Sequence, residues 1–217
     1  MVPDVYSIPG LRAWYDLYVL GWNNHVVWKC PTRALVDHYR RHLSANHLDV
    51  GVGSGYLLDR SVPPTGARLV LFDRNPACLA TTARRLSRVS PTCVRGDLLD
   101  APVGIGEPFD SIGVNYVLHC LPGPTERKAA VLDYLWTLLR PGGTLFGATL
   151  LPDLAPDDGI ARWHLRVYNR MGVFGNADDT LDRLASALHA RFSQVSLQPI
   201  GSAVLFHASG HAKLRRP

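Results

Sequence analysis

From position 47 to 151 the apolar residues fall into short, dense runs, separated by stretches in which they recur every three or four positions. The runs 47–51, 68–73, 110–115 and 143–151 are short and apolar, as parallel strands buried on both faces should be, and 92–95 reads as a weaker strand. Helices lie between them. Asn75-Pro76 offers a cap and a first-turn proline to a helix that buries Leu79, Ala83 and Leu86. Thr125 to Arg140 aligns Leu132, Leu135, Trp136 and Leu139 on one face and stops at Pro141-Gly142-Gly143. A third helix starts near Thr180, with Leu181, Leu184 and Leu188 in line.

The two ends break this alternation. Residues 10–43 read as helical and carry many aromatics, Trp14, Tyr15, Tyr18, Trp22, Trp28 and Tyr39. Thr32, after Pro31, is placed to cap a helix whose apolar face is Leu35, Val36, Tyr39 and Leu43. Residues 194–200 and 202–208 pattern as two strands joined by a tight turn at Gly201, and so short a connection joins only antiparallel neighbours. A mostly parallel α/β sheet closed by an antiparallel hairpin is a narrow class of folds.

Composition sets the outer bounds. At 217 residues and 47% hydrophobic content the chain fits one generous domain, or a domain with a small cap. No apolar run approaches the roughly 18 residues that cross a bilayer. The segment Met1-Val2-Pro3-Asp4 lacks the basic-then-apolar order of a secretory signal. Cys30, Cys78, Cys93 and Cys120 form no C-x-x-C, which points to free thiols, buried as small hydrophobes, in a reducing cytoplasm. The net charge of +5 admits nucleic acid, but the basic residues are spread over helices (Arg40, Arg41, Arg84, Arg85, Arg88) and a tail from 209 to 217 (Lys213, Arg215, Arg216). They do not interleave with aromatics in one stripe, so a solvated surface explains them better. His38 and His42 stand at i, i+4, but Tyr39-Arg40-Arg41 between them supplies no glutamate of a zinc motif. A solvated helix face is expected there, and no metal site.

The most specific stretch is Leu48-Asp49-Val50-Gly51-Val52-Gly53-Ser54-Gly55, an apolar strand running into glycines spaced G-x-G-x-G. Glycine lets the backbone turn tightly and a ligand approach the main chain, with the N–H groups of the next helix aimed at it. Asp73 closes the second apolar strand and Asp97 follows the third. A dinucleotide site would need its third glycine at position 56, which is Tyr56.

This ordering resembles the class I S-adenosylmethionine-dependent methyltransferases, over roughly residues 46–208. The landmarks are the glycine turn, Asp73 in Leu69-Val70-Leu71-Phe72-Asp73, Gly96-Asp97-Leu98, the strand Phe109 to Asn115, and Leu139-Arg140-Pro141-Gly142-Gly143-Thr144-Leu145. The resemblance implies a Rossmann-like, seven-stranded, mostly parallel sheet ending in an antiparallel hairpin, with residues 1–45 as an N-terminal helical cap. It implies S-adenosylmethionine as cofactor and S-adenosylhomocysteine as product. Gly51, Gly53 and Gly55 would face the methionine part of the cofactor, Asp73 the ribose, Asp97 the adenine amino group, and Leu98 the ring, with Asp49 and Arg74 also among the cofactor-binding residues. Asn115 sits where ligands bind in open α/β sheets, and Tyr15 and Trp28 lie in the segment that folds over the cofactor in relatives.

The acceptor is read by elimination. Asn115-Tyr116-Val117-Leu118 has neither proline of the nucleic-acid amino methyltransferases. Asp153, Asp157 and Asp158 are not the paired glutamates of arginine methyltransferases. A small molecule remains, and the family resemblance suggests a secondary metabolite. Its lid would be the cap and the insert 152–176, with Gly172 and Gly175 as hinges, and its contacts Trp22, Tyr116, His119, His164 and Tyr168. His119 and His164 are the candidate bases, since imidazole titrates near neutral pH, with Tyr6, Tyr15 and Tyr116 weaker ones. A homodimer is compatible with all of this. The competing readings are a cofactor-binding protein of the same fold that does other chemistry, such as cyclisation or decarboxylation, and an RNA methyltransferase suggested by charge alone.

Overall fold

The computed structural model describes residues 17–101, 104–123, 125–156 and 159–211. Tyr6, Trp14 and Tyr15, Asp157 and Asp158, and the tail residues Lys213, Arg215 and Arg216 therefore lie outside the described residues. The elements are α1 (Thr32–His42), β1 (Asn46–Val50), α2 (Tyr56–Ser61), β2 (Arg68–Asp73), α3 (Pro76–Arg85), β3 (Thr92–Arg95) and β4 (Phe109–Asn115). After them come α4 (Thr125–Thr137), β5 (Leu139–Leu150), α5 (Ile160–Arg170), α6 (Leu181–His189), β6 (Phe192–Ile200) and β7 (Ala203–His211). Ahead of α1, residues Leu17–Val27 wind as a π-helix.

The seven strands form one sheet in the order β3-β2-β1-β4-β5-β7-β6. Pairing is parallel from β3 through β5 and antiparallel at β5–β7 and β7–β6. This is the expected Rossmann-like sheet with its terminal hairpin, and the hairpin turns at Gly201. A Cβ there would sit 2.1 Å from the Trp28 carbonyl oxygen, so the turn packs directly on the segment before α1.

The central strands are buried on both faces because helices cover both. On one side Leu48, Val50, Val70, Phe72, Ile112 and Val114 pack with Val131, Leu132 and Leu135 of α4. On the other, Leu69 and Leu71 pack with Tyr39 of α1, Leu58 of α2 and Leu79 of α3. The edge strand β3 is largely exposed, which is why its sequence signal is weak.

Three local expectations are corrected. Thr32 does not cap α1. Pro31 holds the cap position, and the Thr32 hydroxyl instead accepts a hydrogen bond from Asn24 Nδ2 at 3.1 Å. The helix α4 ends at Thr137, and Leu139 already pairs with Phe109 in the sheet. The register then skips to Ser111 opposite Thr144, so Pro141-Gly142-Gly143 forms an irregularity inside the long β5. A bulge of this kind has the same proline and glycine signature as a helix stop. Finally, His38 and His42 are not a solvated face. His38 is buried and its Nε2 donates to the Phe206 carbonyl at 2.9 Å, while His42 stacks on His207 with ring centroids 4.5 Å apart. Both rings also lie against Phe146. The face of α1 that carries Leu35 and Tyr39 is wide enough to take its histidines onto β5 and β7.

Burial pushes His38 and His42 down to about 4, from an ordinary value near 6.5. Both groups are thus held neutral in the folded chain, while the unfolded chain takes up protons as the pH drops below about 6.5. Stability is therefore complete above about 6.5 and is lost as the pH falls toward 4. Thermal unfolding followed from pH 7.5 to 4.5 should show Tm falling through that window, and His42→Phe, which keeps the ring contact, should flatten the fall.

Candidate functional site

The order of the sheet reverses between β1 and β4, since the chain runs outward from β1 to β3 and returns to β4. Ligands bind in the crevice that such a reversal opens at the carboxyl ends of the strands. The expected residues gather there. Gly51 follows β1, Asp73 ends β2, Asp97 follows β3 and Asn115 ends β4.

The glycine turn is held to β2 by the Gly51 N–H, which donates to the Phe72 carbonyl at 2.8 Å. Gly51, Gly53 and Gly55 all have positive φ, between 51° and 72°. At two of them glycine is also required by packing within the protein. A Cβ on Gly51 would lie 2.3 Å from Val117 Cγ2, and one on Gly55 would lie 2.6 Å from Thr82 Cγ2. Thr82 fixes the loop further, its hydroxyl donating to the Gly53 carbonyl at 3.1 Å. The helix that follows, α2, has only six residues, so its dipole contributes less than the sequence reading expects.

Asp73 accepts the Asn75 N–H at 2.8 Å on one oxygen and lies 3.4 Å from the Gly53 N–H on the other. Each oxygen keeps lone pairs toward the crevice. Burial raises its pKa above the usual carboxylate value, against the pull of those two N–H groups. Its neighbour Arg74 is exposed, and the Arg74 carbonyl accepts from Arg95 Nε. Asp97 caps the turn Leu98–Asp100 by accepting the Leu99 N–H at 3.0 Å, and Leu98 is buried in the core. Asn115 is 8% exposed, and neither its amide oxygen nor its amide nitrogen has a hydrogen-bond partner among the described residues.

Asp49, at 2% exposure, is buried between α1 and the end of β1, close enough to Asp73 for its charge to act on that carboxylate. Its Oδ1 accepts the Tyr39 hydroxyl at 2.6 Å, and His47 Nε2 stands 3.8 Å away. Burial, reinforced by the Asp49 charge, pushes the Tyr39 phenol well above its ordinary pKa.

Beyond Asn115 the chain makes a strained turn, with Tyr116 at φ 58°. Here the structure brings together most of the residues expected around an acceptor. Tyr116 meets His119 at 5.5 Å between ring centroids, His119 meets Phe174 at 4.6 Å, and Phe174 meets Tyr168 at 5.0 Å. Tyr168 continues to His164 at 5.8 Å, and Trp28 closes the group on His164 at 6.1 Å and Phe174 at 6.3 Å. Trp28, expected over the cofactor, thus stands against α5. The Tyr116 hydroxyl donates to Asn24 Oδ1 at 3.1 Å, which ties the π-helix to the end of β4. Trp22 and Trp163 are not part of this packed group in the same sense, being about half exposed at 48% and 57%.

The two histidines differ. His119 is buried, and its Nδ1 accepts the Leu150 N–H at 3.3 Å and lies 3.3 Å from the Thr149 hydroxyl. Burial, aided by the charge of Lys128, pushes His119 down to about 3. His164 is half-buried, and its Nδ1 donates to the Ile160 carbonyl at 2.9 Å.

Residues 48–145 match the methyltransferase-domain family. The chain is 37% identical to the demethylluteothin O-methyltransferase of Streptomyces thioluteus, over 89% of this chain and 85% of that one. It is 35% identical to the physcion biosynthesis cluster O-methyltransferase of Aspergillus chevalieri, over 89% and 88%. Among solved structures, the N-methyltransferase NodS of Bradyrhizobium japonicum in complex with S-adenosylhomocysteine shares the fold at a TM-score of 0.63. It is 17% identical, covering 95% of this chain and 98% of that one.

Several residues that shape the site carried no sequence signal of their own. Tyr39 reads as a core aromatic, Phe174 as one more apolar residue of the insert, and Asn24 as one polar residue among many. Asn176 is the clearest case. It is fully buried, donates to the Leu150 carbonyl at 2.9 Å, and exchanges hydrogen bonds with Asn169 of α5. Next to it the Gly175 N–H donates to the His119 carbonyl at 2.9 Å, and a Cβ there would lie 2.4 Å from the Leu121 carbonyl oxygen. Gly175 is therefore a packed clamp and not a hinge. Lys128 completes it by bonding the Gly175 carbonyl and pairing with Asp179. Asn176→Ala strands the buried partners of that amide and should cost about 1–3 kcal/mol, read as a lowered Tm and as faster hydrogen exchange in α5.

Proposed function

The chain belongs to the S-adenosylmethionine-dependent methyltransferases, and from that membership we propose that it methylates a hydroxyl group on a planar, hydrophobic small molecule of secondary metabolism. Methyl transfer to a small-molecule acceptor is supported by the named relatives, which belong to natural-product pathways. The named relatives in the comparison support oxygen as the methylated atom. The observation that carries the planar acceptor is the aromatic group at the end of β4, Tyr116, Trp28, Tyr168 and Phe174, with an imidazole on either side. Flat apolar faces hold a flat apolar ligand and exclude water from it.

S-adenosylmethionine supplies an electrophilic methyl group when bound. The crevice fits it on its own terms. Asp73 keeps acceptor lone pairs for two ribose hydroxyls, and Asn115 carries a buried amide that lies beside the Tyr39 hydroxyl but makes no well-aligned hydrogen bond among the described residues. Gly53, bent at positive φ, exposes backbone beside them. Asp97 and Leu98 lie one strand further out, where an adenine would reach. Asp49 accepts the Tyr39 hydroxyl beside these residues and so fixes the end of β1. Trp28 of the cap and His164, Tyr168 and Phe174 of the insert form the acceptor wall, and the protein's contribution is orientation and exclusion of water. Among the described residues no helix is long and apolar enough to cross a membrane, and none of the four cysteines is in a disulfide, which supports a reducing, cytoplasmic setting.

Calorimetric titration with S-adenosylhomocysteine should give one site of micromolar affinity, and Asp73→Ala should weaken it about 100-fold or more, equivalent to roughly 2.7 kcal/mol. Native affinity in Asp73→Ala would remove that residue from the cofactor site. With S-adenosylmethionine and a panel of phenols and naphthols, demethylated cofactor should accumulate only with a hydroxylated acceptor present.

A further inference from the structure

We propose that His164 takes the proton of the acceptor hydroxyl, while His119 is fixed as a hydrogen-bond donor and takes no proton. The inference rests on the methyltransferase reading and follows from which nitrogen of each ring is already committed.

A neutral imidazole has one N–H and one lone pair, and a hydrogen bond at one nitrogen decides the role of the other. The backbone N–H of Leu150 can only donate, so His119 Nδ1 must present its lone pair, and the proton sits on Nε2. The Thr149 hydroxyl lies at the same nitrogen and, able to donate as well as accept, is compatible with that choice. To act as a base, His119 would have to give up its Nδ1 contacts or become a cation beside Lys128 in a buried setting, and the fold opposes both. What His119 offers is an Nε2–H, suited to an oxygen of the acceptor molecule.

His164 has the opposite arrangement. The Ile160 carbonyl can only accept, so Nδ1 carries the proton and Nε2 keeps its lone pair. No partner occupies that Nε2 among the described residues. Trp28, Trp163 and Tyr168 set the ring edge-on at centroid distances of 6.1, 4.9 and 5.8 Å, so its orientation is determined by packing. The half-buried position lets an imidazolium return its proton to water after turnover. In the step itself, the acceptor O–H bond breaks and its proton passes to His164 Nε2. The oxygen forms a bond to the methyl carbon, and the electron pair of the broken carbon–sulfur bond stays on sulfur. The pairing of one donor and one acceptor imidazole suits an acidic hydroxyl that shares a conjugated plane with a second oxygen, as in an enol or an acyl-substituted phenol.

The test uses the full chain, saturated with S-adenosylhomocysteine and labelled with nitrogen-15 at histidine, with His119→Gln and His164→Gln to assign the signals. Long-range proton–nitrogen spectra should show the Nδ1–H tautomer for His164 and the Nε2–H tautomer for His119. The reverse tautomer at either ring would overturn the assignment. Turnover is then compared for 1-naphthol, protonated at neutral pH, and 2,4-dinitro-1-naphthol, already ionised. His164→Gln should lose about 100-fold or more in kcat with 1-naphthol, with KM little changed, and keep its rate with the ionised probe. Equal loss on both would make His164 a positioning residue and sink the proposal. Failure of the native chain to bind S-adenosylhomocysteine would strike the methyltransferase reading instead, whereas binding with the wrong tautomers strikes this proposal alone.

Discussion

The parallel pairing of β1 with β4 is the contact on which the rest of the molecule depends. It sets His47 against Ser111 and Val50 against Val114, so both strands end at the same level. The connection after β1 leads to helices on one face of the sheet, and the connection after β4 leads to α4 on the other. Two loops that leave in opposite directions cannot cover the gap between them, and that gap is the crevice. A one-residue slip in this pair would turn the buried faces of both strands outward and separate Gly51 from Val117.

A second constraint lies under that crevice. Asp49 is a carboxylate in the interior of a parallel sheet, where an unpaired charge would be costly. Tyr39 bonds it from α1, and His47 continues the polar layer by bonding Ser111 at 2.8 Å, which in turn meets Ser44 at 2.7 Å. Gly113 makes the room, since a Cβ there would lie 3.0 Å from Asp49 Oδ1 and 3.2 Å from the His47 ring. The polar layer thereby links the helix α1 to the strand that carries the glycine turn. Stability and site geometry are coupled at this point, because any shift of α1 also moves the floor of the crevice.

The aromatic group at the end of β4, the proposed acceptor side, is built on a different principle. Its aromatic side chains come from the π-helix and its sequel, from the end of β4 and from the insert, segments with no strand pairing to hold them. They are fastened by discrete polar contacts instead, Tyr116 to Asn24, Asn176 to β5 and to α5, Lys128 to Gly175. Such contacts are local and directional. They leave α5 presenting one rigid edge to the site while Ile160, Trp163 and Met171 remain largely exposed.

The sequence by itself determined the alternation of strands and helices, the terminal hairpin, and the glycines and acids that stand at strand ends. Each is a local signal, an apolar run with a glycine or an acid at a fixed place, and the strand order carries those places to one crevice. It could not separate a bulge from a helix stop at Pro141-Gly142-Gly143, because both use the same residues. It also misplaced His38 and His42, since a helix face is polar or buried only in relation to what packs on it. The tertiary structure alone decided that Gly51 and Gly55 are held by Val117 and Thr82, that Asn176 is a clamp, and that His119 and His164 carry their protons on different nitrogens. Most of those facts depend on partners far away in the chain, as His119 does on the Leu150 N–H, and a hydrogen bond from a distant backbone group leaves no mark on the residue that receives it; the His164 bond to Ile160 is local, but only the folded helix sets it.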